Sequence, residues 1–503
     1  MFLFVSLMTM MLVFTACRGD DGETPAGEKV VLTIGLQSDP SSLDPHMATD
    51  AAAIRRTENM YNTLLTYTLV YGEVAPSLAH SFEVSEDNLV YTLFLEEGVL
   101  FHSGREMTAE DVVFSINRIR EEGVRAAHFD QVADIVAVDS HTVELILSEP
   151  FAPLLTYLAH PANVIVDREV VEENDGLANV GGGTGPFKLY NWEVGTSLTL
   201  DAFDDYWEGR PELDRVVFRT IVDATARATA LRNNEIQMII DVTDIELSVL
   251  EDAEGIVVET VTGTFWEYMG MNCERPYLDD VRVRQAIAHA IDRDAINEVV
   301  KMGNATVLTT ANIPPTHEMY ANLNVFPARD VERALQLMEE AGLSDGIELE
   351  MIVGSDWQYQ VDAGQMISQQ LADIGIDVTI SALESGIFFD MLGDGDFDLT
   401  IVGWTGFVDA DEFFFNIFHS EGRFNQQNFV SPELDELLLA GRSTMSSEER
   451  FEIYKDVQYI LATEAPMAFL YMNNFTVAMQ ENVQNFVVHP TSASFWLKDV
   501  VLD

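Results

Sequence analysis

The chain has 503 residues, 84 of them acidic and 27 basic, for a formal net charge of −57. With 47% hydrophobic residues it has enough apolar material for two or three packed domains, which excludes a disordered acidic tail. A nucleic-acid binder is excluded too, because polyanions are held by basic patches and this sequence has none. Only five of the basic residues are Lys. An acid-rich, Lys-poor surface suits salty surroundings, where screening quiets self-repulsion.

From the first residue, Phe2 to Phe14 is apolar apart from Ser6 and Thr9. This run is too short to span a bilayer but fits the hydrophobic core of a secretion signal. Thr15-Ala16 before Cys17 resembles a bacterial lipobox, although no Lys or Arg precedes the apolar run. The expectation is a signal peptide over 1–16, acylation of the Cys17 thiol, and a flexible Gly/Glu/Asp-rich stalk over 17–29. Cys273 then has no partner, so no disulfide is expected. No later segment reaches 18 consecutive apolar residues.

From Val30 onwards β-branched runs alternate with amphipathic helices, the pattern of an α/β fold. Val30–Gly35, Val90–Leu95 and Thr142–Leu147 read as strands. Thr108-Ala-Glu-Asp111 is a capping box opening a helix through Ile119. Gly181–Gly185 reads as a loop before the strand Phe187–Tyr190, and Asp279–Ile291 as a helix with acids in its first turn. Further helices are predicted over 331–341, 362–373, 432–441 and 447–465. Strands at 348–353 and 377–380 flank the second of these, a βαβ pattern implying a mostly parallel sheet in the second half.

The motifs for chemistry fail one by one. The Gly181–Gly185 run lacks the Lys-Ser/Thr of a phosphate loop and precedes a strand. Asp394-Gly-Asp-Phe-Asp398 starts like a calcium loop, but Leu399 stands where Gly is required and Thr405 where the bidentate Glu belongs. His317-Glu318 lacks the second His of a zinc helix, and Cys273 reads as core. The expectation is therefore no catalytic residue, no metal and no cofactor.

One stretch changes the argument: Glu73-Val-Ala-Pro-Ser-Leu-Ala-His-Ser-Phe-Glu-Val, then Tyr91-Thr-Leu-Phe-Leu-Glu-Glu-Gly-Val-Leu-Phe-His-Ser-Gly-Arg-Glu-Met-Thr-Ala-Glu-Asp-Val-Val-Phe-Ser. It resembles the hallmark of the family 5 extracellular solute-binding proteins, the peptide/nickel-type receptors of ABC importers. The resemblance continues through Gly183-Thr-Gly-Pro-Phe-Lys-Leu, Asp205-Tyr-Trp-Glu-Gly, Asp279-Asp-Val-Arg-Val-Arg-Gln-Ala-Ile and Gly403-Trp404, and covers nearly everything after the stalk. It implies a two-lobed, periplasmic-binding-protein-like fold (type II, cluster C) with an extra domain in the first lobe. Domain I would comprise 30–62, 185–268 and 478–503, inserted domain II 63–184, and the second lobe 269–477. Ligand contacts made by both lobes exist only when they close, so ligand shifts the open–closed equilibrium.

The resemblance also implies a ligand site. The loop after Asp44-Pro45-His46 brings Thr49, Asp50 and Ala51 towards the cleft. Trp266 and Tyr268 lie on the crossover between lobes and are placed to stack on ligand, while Trp496 closes the pocket. Gly403, Trp404 and Thr405 form the strand end that pairs with an extended peptide in peptide-binding members. Three residues after that Trp, peptide receptors usually carry an Asp for the ligand's α-ammonium; here it is Phe407. Either Asp409, Asp411 or Glu412 takes the role, or the ligand has no free N-terminus.

The resemblance thus implies a lipid-anchored, monomeric, non-catalytic receptor that delivers a small organic ligand to an ABC permease. A short peptide is the first expectation for that ligand and a carbohydrate or other neutral metabolite the second. A sensor presenting ligand to a chemoreceptor or kinase, and a secreted hydrolase, are the alternatives from other classes.

Overall fold

A computed structural model describes residues 29–503 apart from Pro327. Cys17, the signal segment and nearly all of the stalk lie outside the described residues. The chain is a two-lobed α/β protein whose lobes share one 11-stranded sheet. On the second-lobe side, Ile376–Leu383 and Ile347–Gly354 pair in parallel, and Leu399–Thr405 joins them in the same sense. Here the predicted βαβ unit forms around the helix Gln358–Ala372. On the first-lobe side, Val31–Leu36 lies parallel to both Arg215–Thr220 and Met238–Ile240.

Two long strands, Ile256–Met271 and Met467–Gln480, join these halves and pair with each other antiparallel. The expected limits at 268/269 and 477/478 fall inside them. The sheet is less parallel than the βαβ pattern suggests, because one of these strands enters the second lobe and the other leaves it. Each therefore runs against its neighbour, the first against Leu399–Thr405 and the second against Met238–Ile240.

The stretch expected as an insertion carries its own four-stranded antiparallel sheet, in the order Ala79–Val84, Val90–Leu95, Thr142–Leu147, Val132–Asp139. Helix Ala109–Glu122 packs on it through Val112, Ile116 and Ile119. The capping box forms: Asp111 accepts the Thr108 amide at 2.9 Å and also binds Arg105 at 2.6 Å. From the second lobe, Val408 joins this core and Phe407 packs against it. The glycine loop packs closely on backbone. Gly185 donates to the Met60 carbonyl at 3.0 Å, and a β-carbon on Gly183 would stand 2.1 Å from that oxygen. Asp396 and Asp398, in the calcium-like run, face Arg275 at 2.7 and 3.9 Å. Among the described residues, no helix is long and apolar enough to cross a membrane.

Candidate functional site

A cleft of about 820 Å³ opens between the lobes. On one side, Thr49 from the loop before helix Ala51–Thr57 and Ala51 and Ile54 from the helix itself line it, together with the segment Pro490–Ala493. The crossover strands contribute Phe265, Asn473 and Asn474. The second lobe presents Trp404, Thr405 and Phe407 from the end of strand Leu399–Thr405, backed by Phe424, whose ring lies 4.4 Å from that of Trp404. The inserted domain closes one end with Arg125, His128, Tyr157 and His160.

The strand Leu399–Thr405 is paired along one edge from end to end, Leu399 with Met271 through Thr405 with Phe265. Along its other edge only Leu399 and Thr400 have strand partners, Met351 and Ile352. Among the described residues, that edge has no strand partner from Ile401 to Thr405; Ile401 and Val402 are buried, and the last two residues, Trp404 and Thr405, line the cleft.

The sequence-predicted residues separate accordingly. Thr49, Ala51, Trp404, Thr405 and Phe407 line the cleft. Asp50 caps the helix behind it, accepting the Ala53 amide at 2.8 Å. Gly403 is filled from within: the Phe265 ring takes the place of a side chain, 2.2 Å from where a β-carbon would be. Trp496 stands in an adjoining cavity of about 190 Å³ that shares Glu58 and Pro161 with the cleft. Its ring lies 5.2 Å from that of His489. Trp266 and Tyr268 do not reach the cleft. They are 0% and 2% exposed, with rings 4.7 Å apart, in the second-lobe core. Successive strand side chains point to opposite faces, so Trp266 and Tyr268 share the core face and Phe265 takes the cleft.

The three carboxylates offered in place of the missing Asp have different fates. Asp409 is spent on Arg450, with contacts of 2.7 and 3.1 Å, and caps helix Ala410–Phe418. Asp411 is held by Arg442 at 2.9 Å and accepts from the Tyr157 hydroxyl at 3.3 Å. Glu412 alone lines the cleft. It accepts the amides of Val408 at 2.8 Å and Asp409 at 3.2 Å, and burial pushes its carboxyl up to about 8. Across the cleft Glu58, which accepts the Ser494 amide at 2.6 Å, is pushed up by burial to about 7.

Two imidazoles at this end of the cleft are shifted towards their uncharged form. Burial, reinforced by Arg125, lowers the His128 imidazole to about 3 and the His160 imidazole well below its ordinary range. The Phe407 ring packs 4.3 Å from His160. The two sides are hydrogen-bonded shut at this end. The Tyr71 hydroxyl donates to the Phe407 carbonyl at 2.6 Å and the Ala152 amide to the Arg442 carbonyl at 2.7 Å.

The sequence model of the bacterial extracellular solute-binding proteins, family 5 (middle), matches residues 73–426. The chain belongs to this family. The dipeptide-binding protein of Escherichia coli is 29% identical over 492 residues, covering 90% of this chain and 91% of that one. The glutathione-binding protein GsiB of Salmonella typhimurium is 27% identical over 488 residues, covering 93% and 94%. Among solved structures, the ABC transporter-associated periplasmic binding protein DppA of Helicobacter pylori, in complex with the peptide STSA, superposes with a TM-score of 0.79 at 28% identity. The match covers 94% of this chain and 98% of that one. The relatives are named for binding, and this family member is a solute-binding protein with an α/β, two-lobed fold.

Reasoning from sequence missed Phe265, Arg125 and Phe424 in the cleft. The strand alternation that hides Trp266 was a usable signal for Phe265. Arg125 gave none, since its surroundings come from parts of the chain far apart in sequence.

Proposed function

We propose that the chain is the receptor of an ABC importer, capturing a short peptide in the interlobe cleft and handing it to the permease as a closed monomer. The observation that carries this reading is the unpaired edge of Ile401–Thr405 where the strand enters the cleft. An extended peptide laid there extends the sheet, with main-chain hydrogen bonds giving affinity and flanking pockets giving selectivity. Trp404, Phe424 and Phe265 supply apolar contact, and Asn473 and Asn474 supply polar groups from the hinge strands. Peptide binding by the E. coli and H. pylori relatives agrees with it. Lipid attachment at Cys17 would hold this receptor outside the membrane, and Cys17→Ser would then release it into the soluble fraction.

Calorimetry with di- to pentapeptides tests the reading. Peptides should bind, and methylating the backbone nitrogen that faces Ile401–Thr405 should weaken binding by about tenfold, the value of one main-chain hydrogen bond. Peptides that bind equally well with every backbone nitrogen methylated would refute strand addition.

A further inference from the structure

We infer that the cleft selects a ligand bearing a carboxylate, which is received by the Arg125 guanidinium at the end of the cleft beside Phe407. The inference rests on the receptor reading above and adds the charge of the guest. Acids outnumber bases 84 to 27 in this chain, and the cleft's other cations show it. Arg55 is paired with Asp241 at 2.9 Å, Arg442 with Asp411 at 2.9 Å and Lys301 with Glu267 at 3.5 Å. Arg125 is half-buried, and among the described residues it has no carboxylate within ion-pair distance.

One of its terminal nitrogens donates to the Ala48 carbonyl at 2.9 Å, which tethers one arm of the guanidinium. Its remaining N–H groups meet no protein acceptor among the described residues, and it lines the cleft. A planar fork of free donors, immobilised and part-desolvated, is the complement of a carboxylate. Nothing nearby does that work already. Burial disfavours the charged form of His128 and of His160, and holds Glu412 towards its acid form.

The rest of the molecule sharpens the point. A chain of net charge −57 repels anions at long range, so an anionic guest needs a local cation left unspent. Arg423 is the cleft's second cation without a partner carboxylate, but it is exposed, lies 5.3 Å from the Phe424 ring centre, and is screened by salt. Arg125 is the anchor with fixed geometry.

The test is a calorimetric panel of matched acids and amides, comprising tripeptides with free or amidated C-termini and non-peptide metabolites of similar size in both forms. Amidation should weaken binding by about thirtyfold, the value of a charge-assisted pair. Arg125→Gln should lower acid affinity at least about tenfold more than amide affinity, and Arg125→Lys should restore part of the difference. Equal affinity for acid and amide, or equal losses for both in Arg125→Gln, would overturn the inference. A neutral molecule released from the purified, denatured protein would do so too. Non-peptide acids that bind while both forms of the tripeptides fail would sink the peptide reading and leave the Arg125 anchor standing.

Discussion

The ring of Phe407 rests 4.3 Å from the imidazole of His160, an aromatic contact from the second lobe to the inserted domain at the position where peptide receptors usually carry an Asp. The Phe407 carbonyl is engaged as well, by the Tyr71 hydroxyl. Asp409 and Asp411 are committed to Arg450 and Arg442. An ammonium placed here would be buried without a free, ionised counter-charge, at a penalty of several kcal/mol. Acetylating the α-amine of a bound peptide should therefore cost less than about tenfold in affinity by calorimetry. A hundredfold loss would show that Glu412 ionises to meet the amine.

Trp404 packs on Phe424 at the open strand edge and is half-buried in the cleft wall. Aromatic anchors in partly desolvated pockets carry a large share of binding energy. Trp404→Ala should weaken ligand binding by more than about 1 kcal/mol and leave the thermal midpoint nearly unchanged. Unaltered affinity would remove Trp404 from the site.

Glu412 makes stability depend on pH. It faces Asp409 and Asp411 on its own helix start, and Arg125, Tyr67, Tyr71 and Tyr157 from the inserted domain. A carboxyl raised to about 8 in the fold binds its proton more tightly there than in the unfolded chain. Its contribution is complete below the ordinary Glu range and is lost as pH rises from about 4.5 towards 8. Glu58, raised to about 7, acts in the same direction. Glu412→Gln keeps an acceptor for the Val408 and Asp409 amides and removes the titration. Its melting temperature should fall less between pH 5 and 8 than that of the native chain, with a relative gain of about 2 °C at pH 8. Parallel melting curves across that range would contradict this.

Asp409 should matter for folding and not for the guest. Burial alone would raise its carboxyl, but Arg450 outweighs burial and holds it below the usual range. Asp409→Asn leaves a buried guanidinium uncompensated, and denaturant unfolding should show a loss of about 3–5 kcal/mol. Ligand affinity of the folded fraction should stay within about threefold of native. A variant that binds poorly yet unfolds normally would return Asp409 to the binding site.

Local patterns in the sequence survive well because they depend on few residues. Thr108–Asp111 caps its helix, Val90–Leu95 and Thr142–Leu147 are strands to the residue, and the predicted 432–441 helix runs as Pro432–Ser443. The cleft was harder to read. Which face of Ile256–Met271 meets solvent depends on strand parity, and a slip of one residue exchanges Trp266 for Phe265. The commitments of Asp409 and Asp411 depend on Arg450 and Arg442, each more than 30 residues away along the chain. Trp496 lines a neighbouring cavity with Glu58, Tyr206 and Lys498, a setting drawn from parts of the chain far apart in sequence.

The ladder between the two crossover strands breaks register between Thr262 and Trp266, opposite Asn473. Gly263, Thr264 and Phe265 occupy that gap, and all three border the cleft together with Asn473 and Asn474. A joint with missing rungs bends at little expense, so the guest would press on the same few peptide units about which the halves would swing. Capture and motion would then share one mechanical element, and no relay through the lobes would be needed to tell the receptor that its seat is taken.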